Sequence, residues 1–239
     1  MIALARTTPV ASDALPAAVW HASDLATQAL PVLATGDAAL DAQLPGGGWP
    51  LGAMTEILQP PGLHSEWRLL LPALARSGHG PVVLVGAPHQ PFAPALQAQG
   101  LQAQRLLWIT APAAAARLWA CEQALRCAEV DAVLAWLPQA RSASLRRLQM
   151  AASEYSKLLF VMRPASAQDD ASPAVLRLQI QPAPAPAAGQ AAPSDALQVQ
   201  LLKRRGPPLA QALRLAARPT RLQQLLVAAH ALDRTAAPA

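Results

Sequence analysis

Residues 53–66 read AMTEILQPPGLHSE. The apolar run Met54–Leu58 reads as a short strand, and Trp67–Leu74 as the start of a helix, with a proline- and glycine-bearing turn between them. Strand, loop and helix in this order are the setting of a phosphate-binding loop. That loop follows G-x-x-x-x-G-K-[ST]: its glycines bring backbone N–H groups onto the phosphates, its lysine neutralises them and its hydroxyl holds Mg²⁺. Aligned on the pattern, Gln59 stands at the first glycine, His64 at the second, Ser65 at the lysine and Glu66 at the hydroxyl, with Gly62 left inside the loop. A carboxylate at the metal-binding position, with no lysine beside it, repels a triphosphate. The frame of a nucleotide-binding enzyme without its charged parts implies a protein that acts by binding, and no cofactor or metal is expected.

The pattern continues on both sides of this stretch. Residues 81–86 (PVVLVG) form a β-branched apolar run, the mark of a strand covered on both faces. Further strands are expected at 106–110, 132–137 and 158–162, alternating with helices at 66–77, 91–99, 113–127 and 142–155. Such alternation implies βαβ units, hence an α/β fold with a mostly parallel sheet and helices on both faces. After Arg163 the style changes. Residues 175–180 (VLRLQI) and 197–202 (LQVQLL) alternate apolar and polar residues, which predicts an antiparallel hairpin around the low-complexity segment 182–193. Residues 209–232 read as a basic amphipathic helical tail, interrupted at Pro219. Towards the N-terminus, 12–30 and 37–44 read as helices. The expected organisation is an N-terminal helical segment (1–30), a core (31–208) and the tail (209–239).

The chain has 239 residues and is 53% hydrophobic, enough to bury a sizeable core. No run of apolar residues is long enough to span a membrane, and the N-terminus lacks a sustained apolar signal region, so a cytoplasmic setting is the expectation. Residues 200–239 hold seven basic side chains against one acid, a net +6 that leaves the first 199 residues at −1. Basicity confined to one end fits a polyanion or an acidic protein surface, or else a solubilising tail. Cys121 and Cys127, six apart, lack other ligands nearby and are expected to be reduced core thiols.

These segments, in this order, resemble the core of the RecA recombinase family. Thr35-Gly36-Asp37 followed by Leu40-Asp41 looks like that family's T-G-x-x-x-L-D segment. Gly47-Gly48, Pro50-Leu51-Gly52 and Glu56-Ile57 follow in step, and Leu202-Lys203-Arg204-Arg205-Gly206 resembles its late strand and turn. Where the family keeps a catalytic Glu after the second core strand, Pro88 stands; where its metal-supporting Asp ends a later strand, Trp136 stands. With the altered loop, three parts of the ATP machinery are missing together. Within this superfamily the run LPGGGWPLG at 44–52, Thr55–Leu58 and Trp20 resemble the ImuA family, related to SulA. That resemblance implies a non-catalytic accessory protein of SOS-induced translesion synthesis. Its implied partners are an ImuB-type inactive polymerase homologue, with RecA, an error-prone DnaE-type polymerase and non-specific DNA as further candidates. The alternative it implies is a SulA-type division inhibitor that binds FtsZ.

The remaining candidates divide between function and packing. His64, Ser65 and Glu66 are neighbours at a turn and point in different directions, which argues against a hydrolytic group. Trp20, Trp49 and Trp67 are candidate interface anchors, whereas Trp108, Trp119 and Trp136 sit in core-like patterns. Lys203, Arg204 and Arg205 form the tightest basic cluster. Arg214, Arg218 and Arg221, at i, i+4 and i+7, would share one side of a helix if it ran unbroken, opposite Leu222, Leu225 and Leu226, and the break at Pro219 counts against this. These are the candidate contacts for DNA or a partner, with packing of the apolar side on the core as the other reading.

Overall fold

The structure, a computed structural model, describes residues 30–183, 196–206, 209 and 211–215. The expected N-terminal helix at 12–30, the segment around 184–195 and the tail positions Arg218, Arg221, Leu222, Leu225 and Leu226 lie outside the described residues, save residue 30. The chain opens with two short strands, β1 (Val32–Leu33) and β2 (Trp49–Pro50), paired antiparallel. Between them lies the one-turn helix α1 (Ala38–Asp41). There follow β3 (Ala53–Gln59), α2 (Glu66–Leu74), β4 (Val82–Val85), α3 (Ala93–Ala98), β5 (Leu106–Ile109), α4 (Ala114–Arg126), β6 (Ala132–Trp136), α5 (Ser142–Glu154) and β7 (Leu158–Pro164). The last described strands are β8 (Leu176–Pro182), β9 (Leu197–Lys203) and β10 (Leu213–Leu215).

Eight of these strands make one sheet in the order β10-β9-β8-β3-β7-β6-β4-β5. From β8 to β5 every pairing is parallel. β9 and β10 continue it antiparallel. This is the α/β architecture that the alternating pattern predicts. Its central strands β3, β4 and β6 are buried along their whole length, as strands covered on both faces must be. Side chains alternate between two cores. Ile57, Leu84, Leu134 and Phe160 meet α2 and α3 on one face, where Leu70, Leu74 and Leu96 are buried. Met54, Val83, Val133 and Leu159 meet α4 and α5 on the other, with Cys121, Leu125, Leu145 and Leu148.

The segment 35–41 has a structural explanation for nearly every residue. The Asp37 carboxylate caps α1 by accepting from the N–H groups of Ala39 and Leu40 at 2.9 and 3.0 Å. The Thr35 N–H donates to Asp41 Oδ1 at 2.7 Å, closing the segment on itself. Gly36 has φ +96°, and a Cβ there would lie 2.6 Å from Cβ of Pro72 on α2. Only glycine fits that approach. Leu40 is fully buried beneath.

Two expectations fail at the C-terminal end and at the aromatic residues. Leu213–Leu215 is not helical. It pairs with β9, with Leu213 opposite Val199 and Leu215 opposite Leu197. The alternation Leu-Arg-Leu satisfies a strand as well as a helix, and the free edge of β9 decides between them. Arg214 therefore stands exposed on a strand, so a helical side shared with Arg218 and Arg221 does not include it. Trp49, expected as an anchor, is fully buried and packs edge-on against Phe160 at 5.5 Å. Trp67 packs against the same core. Conversely, Trp108 and Trp119, expected inside, are 38% and 65% exposed. β5 is the last strand of the sheet, so its outer side chains have no neighbouring strand to cover them.

Candidate functional site

The loop after β3 is closed by its own side chains. Gln59, the last residue of β3, is buried and turns its amide into the loop. Its Oε1 accepts from the Ser65 N–H at 3.1 Å, and its Nε2 donates to Glu66 Oε2 at 2.9 Å. Ser65 and Glu66 are buried as well. Glu66 opens α2, where the positive end of the helix dipole favours a carboxylate. An N–H that a phosphate loop would offer to its ligand is thus spent on the protein's own amide. The negative charge at the start of α2 is already supplied from within. His64 alone of the three turn residues is exposed, and its ring meets that of His89 edge-on at 4.7 Å. No pair among His64, Ser65 and Glu66 has the base–nucleophile hydrogen bond that catalysis requires.

Beyond the loop lies a cleft of about 590 Å³ over the carboxyl ends of β3 to β7. Ligands of open α/β sheets bind at this end. Gln59, Gly62, His64, Pro88 and Trp136, which the motif alignment singles out along separate stretches of sequence, all line it. Ser65 and Glu66 do not, being folded behind the loop. Six prolines contribute to the wall, namely Pro60, Pro61, Pro88, Pro112, Pro138 and Pro164. Each follows a strand end closely or closes the strand itself. Without N–H groups they leave the wall poor in backbone donors.

Two arginines in this wall, Arg117 and Arg163, lie outside the phosphate-loop pattern. Arg117 of α4 lies across Gly86, whose φ is +68° and whose added Cβ would stand 2.9 Å from the arginine Cδ. Its Nε donates to the Ala111 carbonyl at 2.6 Å. Its two terminal amino groups have no acceptor among the described residues. Arg163 belongs to a buried ion cluster instead. Its Nη1 donates to Glu56 Oε1 at 2.9 Å and its Nη2 to Asp170 Oδ2 at 2.7 Å, while Arg177 holds the other Glu56 oxygen. Arg177 also donates to the carbonyls of Ala167 and Gln168. Glu56 is fully buried, and the cluster ties β3 to β7 and β8 from within. Arg163 Nε and Trp136 Nε1 are buried with no acceptor among the described residues.

The basic cluster is partly used by the fold. Lys203 Nζ donates to the Ser172 carbonyl at 3.2 Å and Arg204 Nη1 to the Gln43 carbonyl. Arg204 and Arg205 have further partners in the fold. Asp131, at the amino end of β6, pairs with Arg105 at 3.0 Å and accepts from the Gly80 N–H, a structural role far from the cleft. Of the two thiols expected in the core, Cys121 is buried and its pKa is pushed up to about 12 by that burial, whereas Cys127 is exposed just past the end of α4. No helix among the described residues is long and apolar enough to cross a membrane. No protein-family model matches the chain, and a search of curated proteins finds no match either.

Proposed function

We propose that this chain is an ATP-independent accessory protein that works through protein contacts on a RecA-like scaffold. The observation that supports this reading is the Gln59–Ser65–Glu66 closure, in which the protein's own amide engages the Ser65 N–H and the carboxylate at the start of α2. Pro88 and Trp136, where an active relative needs acids, line the same cleft and supply none. The resemblance to the ImuA family gives the particular setting: a cytoplasmic translesion-synthesis complex containing an ImuB-type polymerase homologue, with RecA, a DnaE-type polymerase and DNA as further partners. Co-purification of the chain with an ImuB-type protein, unchanged by added Mg-ATP, is the expected result. Turnover of ATP by the pure chain, lost on substitution of residues 62–66, overturns it. Filamentation on overexpression, together with capture of FtsZ and not of an ImuB-type protein, replaces it with the division-inhibitor reading.

A further inference from the structure

The cleft lacks the lysine and hydroxyl of a phosphate-binding loop, yet it is a formed cavity with a distinct character. No carboxylate is among its lining residues. Of the two guanidinium groups in its wall, that of Arg117 keeps unmatched donors, Nη1 and Nη2, whereas the unpaired Trp136 Nε1 and Arg163 Nε are fully buried. The Arg163 charge is answered by Glu56 and Asp170. Arg117 has no acidic partner among the described residues, so a single positive charge remains for a ligand. Hydrogen bonding of Nε to Ala111 fixes the guanidinium plane and leaves its far edge, Nη1 and Nη2, available. That edge matches the two oxygens of a carboxylate. Around it the wall is apolar, formed by the prolines with Leu63, Ala87 and Met162. A volume of about 590 Å³ suits a ligand of moderate size rather than a lone ion.

We infer that the cleft is a binding site for a monocarboxylate with an apolar body, its carboxylate held by Arg117 and its body lying against the proline wall. Such a group comes either from a free organic acid or from the C-terminus of a polypeptide ending in an apolar residue. The inference does not depend on the translesion setting. It uses only Arg117, Gly86 and the wall. Gly86 is the permissive element, because any Cβ there pushes the Arg117 stem from its place.

The test titrates the full chain by calorimetry with 4-phenylbutyrate and with an acetylated tetrapeptide ending in leucine. Each is compared with its amide, which keeps the body and loses the charge. The acid of at least one pair binds saturably, and its amide binds about tenfold more weakly or worse, the loss of a charge-assisted pair. Arg117→Gln removes that preference while leaving the circular dichroism spectrum unchanged, since the side chain is only half-buried. Gly86→Ala lowers the acid's affinity in the same direction by displacing Arg117. Preference for phenylbutyrate assigns a free acid, and preference for the peptide assigns a chain terminus. The inference is overturned if neither acid saturates below about 10 mM, if acid and amide bind alike, or if Arg117→Gln leaves the difference intact.

Discussion

Gln59 shows how one side chain can close a loop on itself. It satisfies the Ser65 N–H and the buried Glu66 carboxylate together. Gln59→Ala leaves both without their partner, and urea unfolding is expected to show a loss of about 1–3 kcal/mol. Glu56 is the more severe case, because two buried arginines face it. Glu56→Ala leaves Arg177 without a carboxylate and Arg163 with Asp170 alone, and a loss of about 3–5 kcal/mol is expected in the same measurement. At the thiols the expected outcome is kinetic. Native protein reacts with a disulfide reagent at Cys127 alone, and Cys121 joins only in denaturant. Because burial raises the folded pKa of Cys121 from 9.0 to about 12, its contribution to stability is intact below pH 9.0 and falls as pH climbs towards 12. A Cys121→Ser variant therefore shows a flatter loss of stability across that range.

At the scale of elements, local pattern was sufficient where an element's neighbours leave no choice. Val82–Val85 reads as a strand buried on both faces and is one. Leu106–Ile109 is as apolar, yet it lies at the end of the sheet with Trp108 uncovered. Nothing in four residues states whether a ninth strand stands beside them. The same gap hid β10, whose Leu213–Arg214–Leu215 fits two periods until β9 offers an edge. Amide exchange should separate these cases: β10, a short edge strand, exchanges well before β6 and β7 in the middle of the sheet. The site divides in a similar way. Gln59, Pro88 and Trp136 are legible because a known motif marks their positions. Arg117 is not, since its place depends on Gly86 from another strand and on the packing of α4 over β4. The regular proline just past each of several strands was the available signal, and it was present in the sequence.

For the molecule as a whole, the basic residues at 203 and 204 are partly committed to the fold. Lys203 and Arg204 hold backbone carbonyls of Ser172 and Gln43, stitching β9 to distant segments. Replacing Lys203, Arg204 and Arg205 by Ala is expected to weaken DNA or partner binding in a salt-dependent way and also to lower the melting temperature. Binding measured well below that temperature separates the two effects, and unchanged affinity at low salt removes the cluster as a contact. The closed loop bears instead on what a single substitution can do. Installing a lysine at position 65 alone sets it beside the Glu66 carboxylate, which neutralises it while the Gln59 amide stays in place. Single substitutions here are expected to leave ATP binding undetected in equilibrium dialysis, and a joint exchange at 59, 65 and 66 is the variant expected to show it first. The loop is buffered in this sense, since no single exchange removes the Gln59 amide and the Glu66 carboxylate together.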